Sequence, residues 1–292
     1  MNLDNKLKGL PPIFYLNLDH RTDRKEYMEG QFKERGITDY TRISASRFAT
    51  SKIDEWGHRL DLMLLAKSDA SIVMNQFTTI IDWYNSGISE TCIIMQDDLS
   101  LELIDYWMFD WETIVKSLPY NWDCVQFYHC HNEEMRMHLH KRSYGSSSAA
   151  CYMINRWYAE KLIKLHLQPD NSFKLKNNLK DVSVPKECYS SDDFLLYQIG
   201  VSYSLPILCL NQRLSQTPDN KLQEDETDED YDPVISIYHN KIHDILASTC
   251  VRRWWENESS KYKAEDILSY GGSIHRKMIV PIPKFNRKVL PK

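Results

Sequence analysis

The apolar and polar positions of this chain alternate between two periods, one suited to strands and one to helices. Residues 13–18 (IFYLNL) form a short apolar run of strand length. Asp23 and Glu26 then make a capping-box-like helix start, Met28 and Phe32 fall one turn apart, and Gly36 is a fitting stop. A second strand is predicted at 40–43. The clearest helix is predicted over 69–86, where Val73, Phe77, Ile80, Ile81 and Tyr84 recur at helical spacing and Gly87 closes the run. An apolar strand follows at 93–95, running into Gln96, Asp97 and Asp98. Met108, Trp111, Val115 and Leu118 then share one face of a helix stopped by Pro119.

Further strands are predicted at 123–128 and 149–154, and Asn155 caps a helix carrying Tyr158, Leu162 and Leu165. A short helix opens at Ser190 or Ser191 and runs to Gly200, and strands at 201–205 and 207–210 end the regular part. Strands alternating with helices predict an α/β fold: a mostly parallel sheet with helices on both faces. The run EDETDED at 224–230 then breaks the composition, so 216–232 reads as an acidic linker or lid between a main domain, 1–215, and a C-terminal extension, 233–292. Within that extension 239–263 reads as helical and 281–292 as a basic, proline-containing tail.

Composition narrows the function classes. The chain has 292 residues, enough for a sizeable core, and a formal net charge of -5, which does not suggest a nucleic-acid partner. No apolar stretch approaches a membrane span, and the first residues lack the apolar run of a signal peptide. Seven cysteines without regular spacing suggest free thiols in a reducing, cytoplasmic setting.

The chemistry concentrates at predicted strand ends. Adjacent carboxylates at the end of a buried strand repel each other unless a cation lies between them, so Asp97 and Asp98 are candidate ligands of a divalent metal; the alternative is a solvated turn. In parallel α/β sheets ligands bind beyond the carboxyl ends of the strands, and 17–19, 96–98 and His129 all fall there. His129, Cys130, His131, His138 and His140 form a cluster that lacks the spacing of a zinc module. A loop beside the active site and solvated loop histidines are the other readings. Trp254-Trp255 reads as a helix packing on the core rather than a sugar platform.

Four stretches, in order, resemble glycosyltransferase family 25, the lipooligosaccharide-type and collagen galactosyltransferases. Residues 13–24 (IFYLNLDHRTDR) are similar to that family's "INLDRRPDR", and 86–99 (SGISETCIIMQDDL) to "SGLxxALILEDDV". Residues 122–128 with 145–163 (GSSSAACYMINRWYAEKLI) resemble "DIVxLG … GTHAYLISRKGAEKLL", and 191–212 (SDDFLLYQIGVSYSLPILCLNQ) resemble "VDDFL…YAVxPPLVxQ". The resemblance covers about residues 13–212 and implies a GT-A-like, Rossmann-type fold with a nucleotide-sugar donor, commonly UDP-galactose. It also implies a divalent metal, Mn²⁺ or Mg²⁺, and inverting transfer of a hexose to a hydroxyl of a saccharide or glycoprotein acceptor.

By that resemblance Asp97 and Asp98 hold the metal, and Asp192 or Asp193 is the base that deprotonates the acceptor. Asn17, Arg21, Arg24, Ser44, Gln96 and Asp97 would surround the donor. The chain departs from the family at Gln96, where Glu is usual, and at Asn75-Gln76, where Ser-His is usual. Gln accepts hydrogen bonds but brings no negative charge. A degenerate, non-catalytic sugar-nucleotide or glycan binder is therefore the first alternative, and a metal-dependent phosphoesterase the second.

Overall fold

A computed structural model describes residues 2–48, 67–130, 133–143, 146–170, 172–173, 199–215, 233–271 and 273–283. The strands are β1 (Ile13–Asn17), β2 (Tyr40–Ser44), β3 (Thr91–Gln96), β4 (Leu99–Ser100), β5 (Cys124–Cys130), β6 (Glu134–Arg136), β7 (His140–Lys141), β8 (Ser147–Asn155), β9 (Ser202–Ser204), β10 (Cys209–Leu210) and β11 (Ile279–Pro281). Seven of them form one sheet in the order β2-β1-β3-β8-β5-β9-β7. β2, β1 and β3 pair in parallel, β8 pairs antiparallel to both β3 and β5, β9 is parallel to β5, and β7 is antiparallel to β9. Five strands of the seven therefore run one way, as the strand-helix alternation predicts, with β8 and β7 reversed.

Each face of the sheet has its own core, because successive side chains of a strand point to opposite faces. On one face Phe14, Leu16, Cys92 and Ile94 pack with Phe77, Ile80 and Trp83 of helix Lys67–Ser86 and with Tyr158 and Leu162 of helix Arg156–His166. On the other, Ile13, Tyr15, Ile93 and Met95 pack with Met28 and Phe32 of helix Thr22–Glu34. Val251, Trp254 and Trp255 of helix Pro233–Asn257 join this second core, and Trp255 Nε1 donates to the Pro206 carbonyl at 2.8 Å. The C-terminal extension is thus part of the main core, and the tryptophan pair is packing, as its pattern suggests.

Helix ends fall close to their sequence signals. Gly36 and Gly87 adopt φ +68° and +67°, a left-handed conformation that glycine reaches without a Cβ clash. Asn155 accepts from the Tyr158 amide at 2.8 Å as an N-cap.

Three elements differ from expectation. The capping box at Asp23 and Glu26 does not form: Arg21 stands at the cap, and its guanidinium takes Asp23 at 2.8 and 2.9 Å. The helix expected around Met108 is split into a 3₁₀ turn, Glu102–Tyr106, and helix Trp111–Ser117, because Asp110 caps the latter on the Thr113 amide and Trp107 and Phe109 turn into the core. The C-terminal helix runs Pro233–Asn257 rather than 239–263, starting at a proline whose fixed φ suits a first helical turn. The acidic run at 216–232, residues 190–198 of the helix expected from Ser190 or Ser191 to Gly200, and all of the tail after 283 lie outside the described residues.

Candidate functional site

The chain leaves β1 for β2 on one side and returns to β3 on the other, so the carboxyl ends of β1 and β3 flank a topological switch point. At such a point the two connections diverge and leave a crevice above the sheet. β1 ends here in Asn17 and β3 in Gln96, followed by Asp97 and Asp98.

Helix Thr22–Glu34 positions the acids. Arg24, Met28, Gln31 and Phe32 lie at the spacing of one helical face, and Met28, Gln31 and Phe32 are buried. Gln31 pins the chain just after the acids, donating to the Leu99 carbonyl at 3.0 Å and accepting from the Leu101 amide at 2.7 Å. Two turns earlier Arg24 meets Asp97 Oδ1 at 2.9 Å, stands 3.9 Å from Asp98 Oδ2, and donates to the Leu214 carbonyl at 3.0 Å. Asp97 Oδ2 accepts from Asn17 Nδ2 at 2.7 Å. Both Asp97 oxygens are thus engaged by side chains of the first predicted strand-helix unit.

Asp98 stands differently. Its carbonyl accepts from the Asn211 amide at 2.7 Å, which with the β4–β10 pair fastens the turn to the second half of the chain. Its Oδ1 is buried with no hydrogen-bond partner among the described residues. Burial pushes the Asp98 carboxyl up to about 6; Arg24 opposes this, while Asp97 and Asp244 add to it. Asp244 comes from helix Pro233–Asn257 and accepts from the Tyr128 hydroxyl at 2.9 Å.

The other candidates fall on the same edge with distinct partners. Arg42 donates to Asn17 Oδ1 at 2.8 Å and to Asp19 at 2.7 Å, and the Ser44 hydroxyl donates to Asp19 Oδ2 at 2.8 Å. Arg42 carries no signal in the sequence, since an exposed-looking arginine in a strand gains these partners only when β1 and β2 pair. Arg21 is buried and bound to Asp23, and its carbonyl accepts from Asn17. Gln96 occupies the strand position in phase with Cys92 and Ile94, on the face of helix Lys67–Ser86, whereas Asp97 meets the helix on the other face. From that helix Gln76 donates to the Ala149 carbonyl at 3.3 Å and accepts from Tyr152 at 3.1 Å. Asp192 and Asp193 lie outside the described residues.

No family model matches the chain, and no curated protein matches it. Among the described residues no group of three or more His, Cys, Asp or Glu side chains is arranged to hold a metal ion. Asp98, with a buried acceptor left over, is suited to a hard cation; Asp97, with each oxygen already engaged, is suited to orienting Arg24 and Asn17.

The described histidines of the cluster are not solvated. His129, His138 and His140 are buried. His275 of the C-terminal segment stacks on His138 with ring centroids 3.9 Å apart and planes 8° apart. Parallel stacked imidazoles cannot aim their in-plane lone pairs at one ion, which argues against zinc. His131 lies outside the described residues.

Proposed function

We propose that the chain is a glycosyltransferase that moves a hexose, galactose first among candidates, from a UDP-linked donor to a hydroxyl of a glycan or glycoprotein acceptor. The observation that carries this reading is Asp98: a buried carboxylate with an unspent oxygen, beyond the carboxyl end of β3 at the switch point of an α/β sheet. Asp98 would hold Mn²⁺ or Mg²⁺, which when bound neutralises charge on a departing diphosphate as a Lewis acid. Asp97 holds Arg24 in place, and Arg24 brings a guanidinium suited to phosphate oxygens. Asn17, Arg42 and Ser44 line the edge on the β1–β2 side, where hydroxyls and amide edges of a nucleoside find donors and acceptors. The base that deprotonates the acceptor is Asp192 or Asp193 by family resemblance. No helix of the described residues is long and apolar enough to cross a membrane.

The test is calorimetry of UDP and UDP-hexoses with the intact chain, in Mn²⁺ and in chelator, followed by product analysis. The reading expects metal-dependent UDP binding that Asp98→Asn abolishes. Equal affinity in both media for wild type and variant would overturn the metal role. No UDP binding in either medium would overturn the donor class.

A second reading has its own observation. Arg24 already places a cation against Asp97 and near Asp98, and Gln96 brings no charge. These features suit a protein that binds a sugar nucleotide and does not turn it over. Saturable UDP-hexose binding without transfer or hydrolysis, in the presence of Mn²⁺ and a range of glycan acceptors, would favour it.

A further inference from the structure

The buried histidines belong to a seam that the acidic edge does not use. Residues 133–139 lie along one side of it. Residues 264–271 and 273–282 lie along the other: helix Ala264–Leu268, a 3₁₀ helix Ser273–Met278 and strand β11. Backbone bonds fasten the two: β6 pairs antiparallel with β11, the Met137 amide donates to Met278 at 2.9 Å, the Leu139 amide to Ile267 at 2.8 Å, and the Ile282 amide to Glu133 at 2.8 Å. Between them the His138 and His275 rings lie face to face, and the His140 ring is 5.5 Å from His138 and 5.7 Å from His129.

The hydrogen bonds fix which ring nitrogen donates in two of the imidazoles. His275 Nε2 is 3.1 Å from the Asp266 carbonyl, which only accepts, so Nε2 carries the proton. His140 Nδ1 is 2.7 Å from the His138 carbonyl and carries its proton for the same reason. His138 Nδ1 is buried with no hydrogen-bond partner among the described residues, so a proton added there would have no acceptor.

We propose that the His138–His275 stack is an acid-operated latch, closed while both rings are neutral and released when they are protonated, freeing residues 264–282 from residues 133–139. The physical cause is like-charge repulsion between two cationic rings whose centroids lie 3.9 Å apart, both largely buried, where screening is weak.

Among the described residues no carboxylate acts on His138 as a counter-charge. Along its own segment Arg136 and His140 act on it, and across the seam His275 does; each disfavours a further positive charge. On helix Ala264–Leu268 the Asp266 carboxylate is taken by the Lys263 amide at 2.9 Å, and the Ser269 hydroxyl beyond it faces His275 Nε2 at 3.1 Å. Arg276 and Lys277 follow His275 and are exposed. β9, paired with β7, brings Tyr203 against Tyr270, and β5 brings His129. Burial, then His275, His140 and Arg136 push the His138 imidazole from 6.5 down to about 3. A histidine depressed on folding contributes stability above its unfolded value and loses it as pH falls from there towards the folded one.

Hydrogen exchange of the full chain at about pH 7.5 and about pH 5, corrected for intrinsic rates, tests this. The amides of Met137, Leu139 and Ile282 should lose protection at the lower pH by at least about tenfold relative to the Ile93 amide, which is bonded to Pro12 in the central sheet. His138→Phe keeps an apolar ring against His275 and should abolish the differential loss; His275→Phe should do the same and serves where the first variant does not fold. A wild type whose seam and core amides respond alike to pH overturns the latch. So does a folded variant of either kind that keeps the differential loss.

Discussion

The acidic edge and the histidine seam both bury titratable groups, yet they stabilise them by opposite means. At the edge Asp97 is compensated, with Arg24 on one oxygen and Asn17 on the other. At the seam two buried imidazoles stack without a carboxylate between them, and burial holds the His138 ring below the usual histidine range. Asp98 is the exception within the edge: it is buried beside the ion pair, has no partner on Oδ1 among the described residues, and is pushed towards its neutral form. A compensated charge gives rigidity. An uncompensated acid keeps an unsatisfied capacity for a cation or a proton, and unsatisfied capacity is what functional sites hold at a cost in stability.

The comparison is broken most strongly by removing the compensating cation. Arg24→Met leaves Asp97 buried beside Asp98 without its partner and is expected to destabilise the fold by about 3–5 kcal/mol, read from the urea midpoint at neutral pH. A change below about 1 kcal/mol would place the pair among weak surface bridges instead.

Asp98→Asn is expected to act in the other direction. A carboxyl whose pKa is raised on folding stabilises below its unfolded value and loses that contribution as pH rises through about 6. At neutral pH the ionised Asp98 therefore costs stability, and the amide should raise it by about 2–3 kcal/mol. The gain should vanish at about pH 4, where the wild-type acid is protonated as well. Thermal melts of both proteins across that range decide it; a loss at neutral pH would mean that Asp98 is satisfied by a bond its geometry does not show.

The seam is expected to respond with the reverse pH sign. His138→Phe should be close to neutral in stability at about pH 7.5 and more stable than wild type by about 1 kcal/mol at about pH 5, a figure kept low because the ring is partly reached by solvent. Equal effects at both pH values would assign His138 to packing alone.

The smallest expected effect concerns backbone strain at the edge. Ser148 adopts φ +96°, the one such non-glycine among the described residues, beside a register shift between β5 and β8. Ser148→Gly should stabilise by about 0.5–1 kcal/mol by relieving the Cβ clash, less the bond that the Ser148 hydroxyl accepts from the Ala150 amide at 3.1 Å. Destabilisation would mean that this bond outweighs the strain.

By itself the sequence determined what depends on neighbours along the chain. Strand and helix periods place β1, β3, β5 and β8 and helices Thr22–Glu34, Lys67–Ser86 and Arg156–His166 within a few residues of their positions, because alternation and the 3.6-residue repeat are local consequences of burying one face. Asp97 and Asp98 were legible for the same reason: an apolar strand that ends in two adjacent carboxylates is a local anomaly. Arg24 and Asn17 were legible as candidates, but not as partners of Asp97, since their pairing rests on β1 lying beside β3, seventy-odd residues away in sequence. Only the tertiary structure decided the rest. It reversed β8 between two parallel strands, set Gln96 on the opposite face from the Arg24–Asp97 pair, and brought Asp244 towards Asp98. It also stacked His275 on His138 across more than a hundred residues of chain. Such contacts are selected by the packing of whole elements, and no spacing along the chain encodes which imidazole will face which.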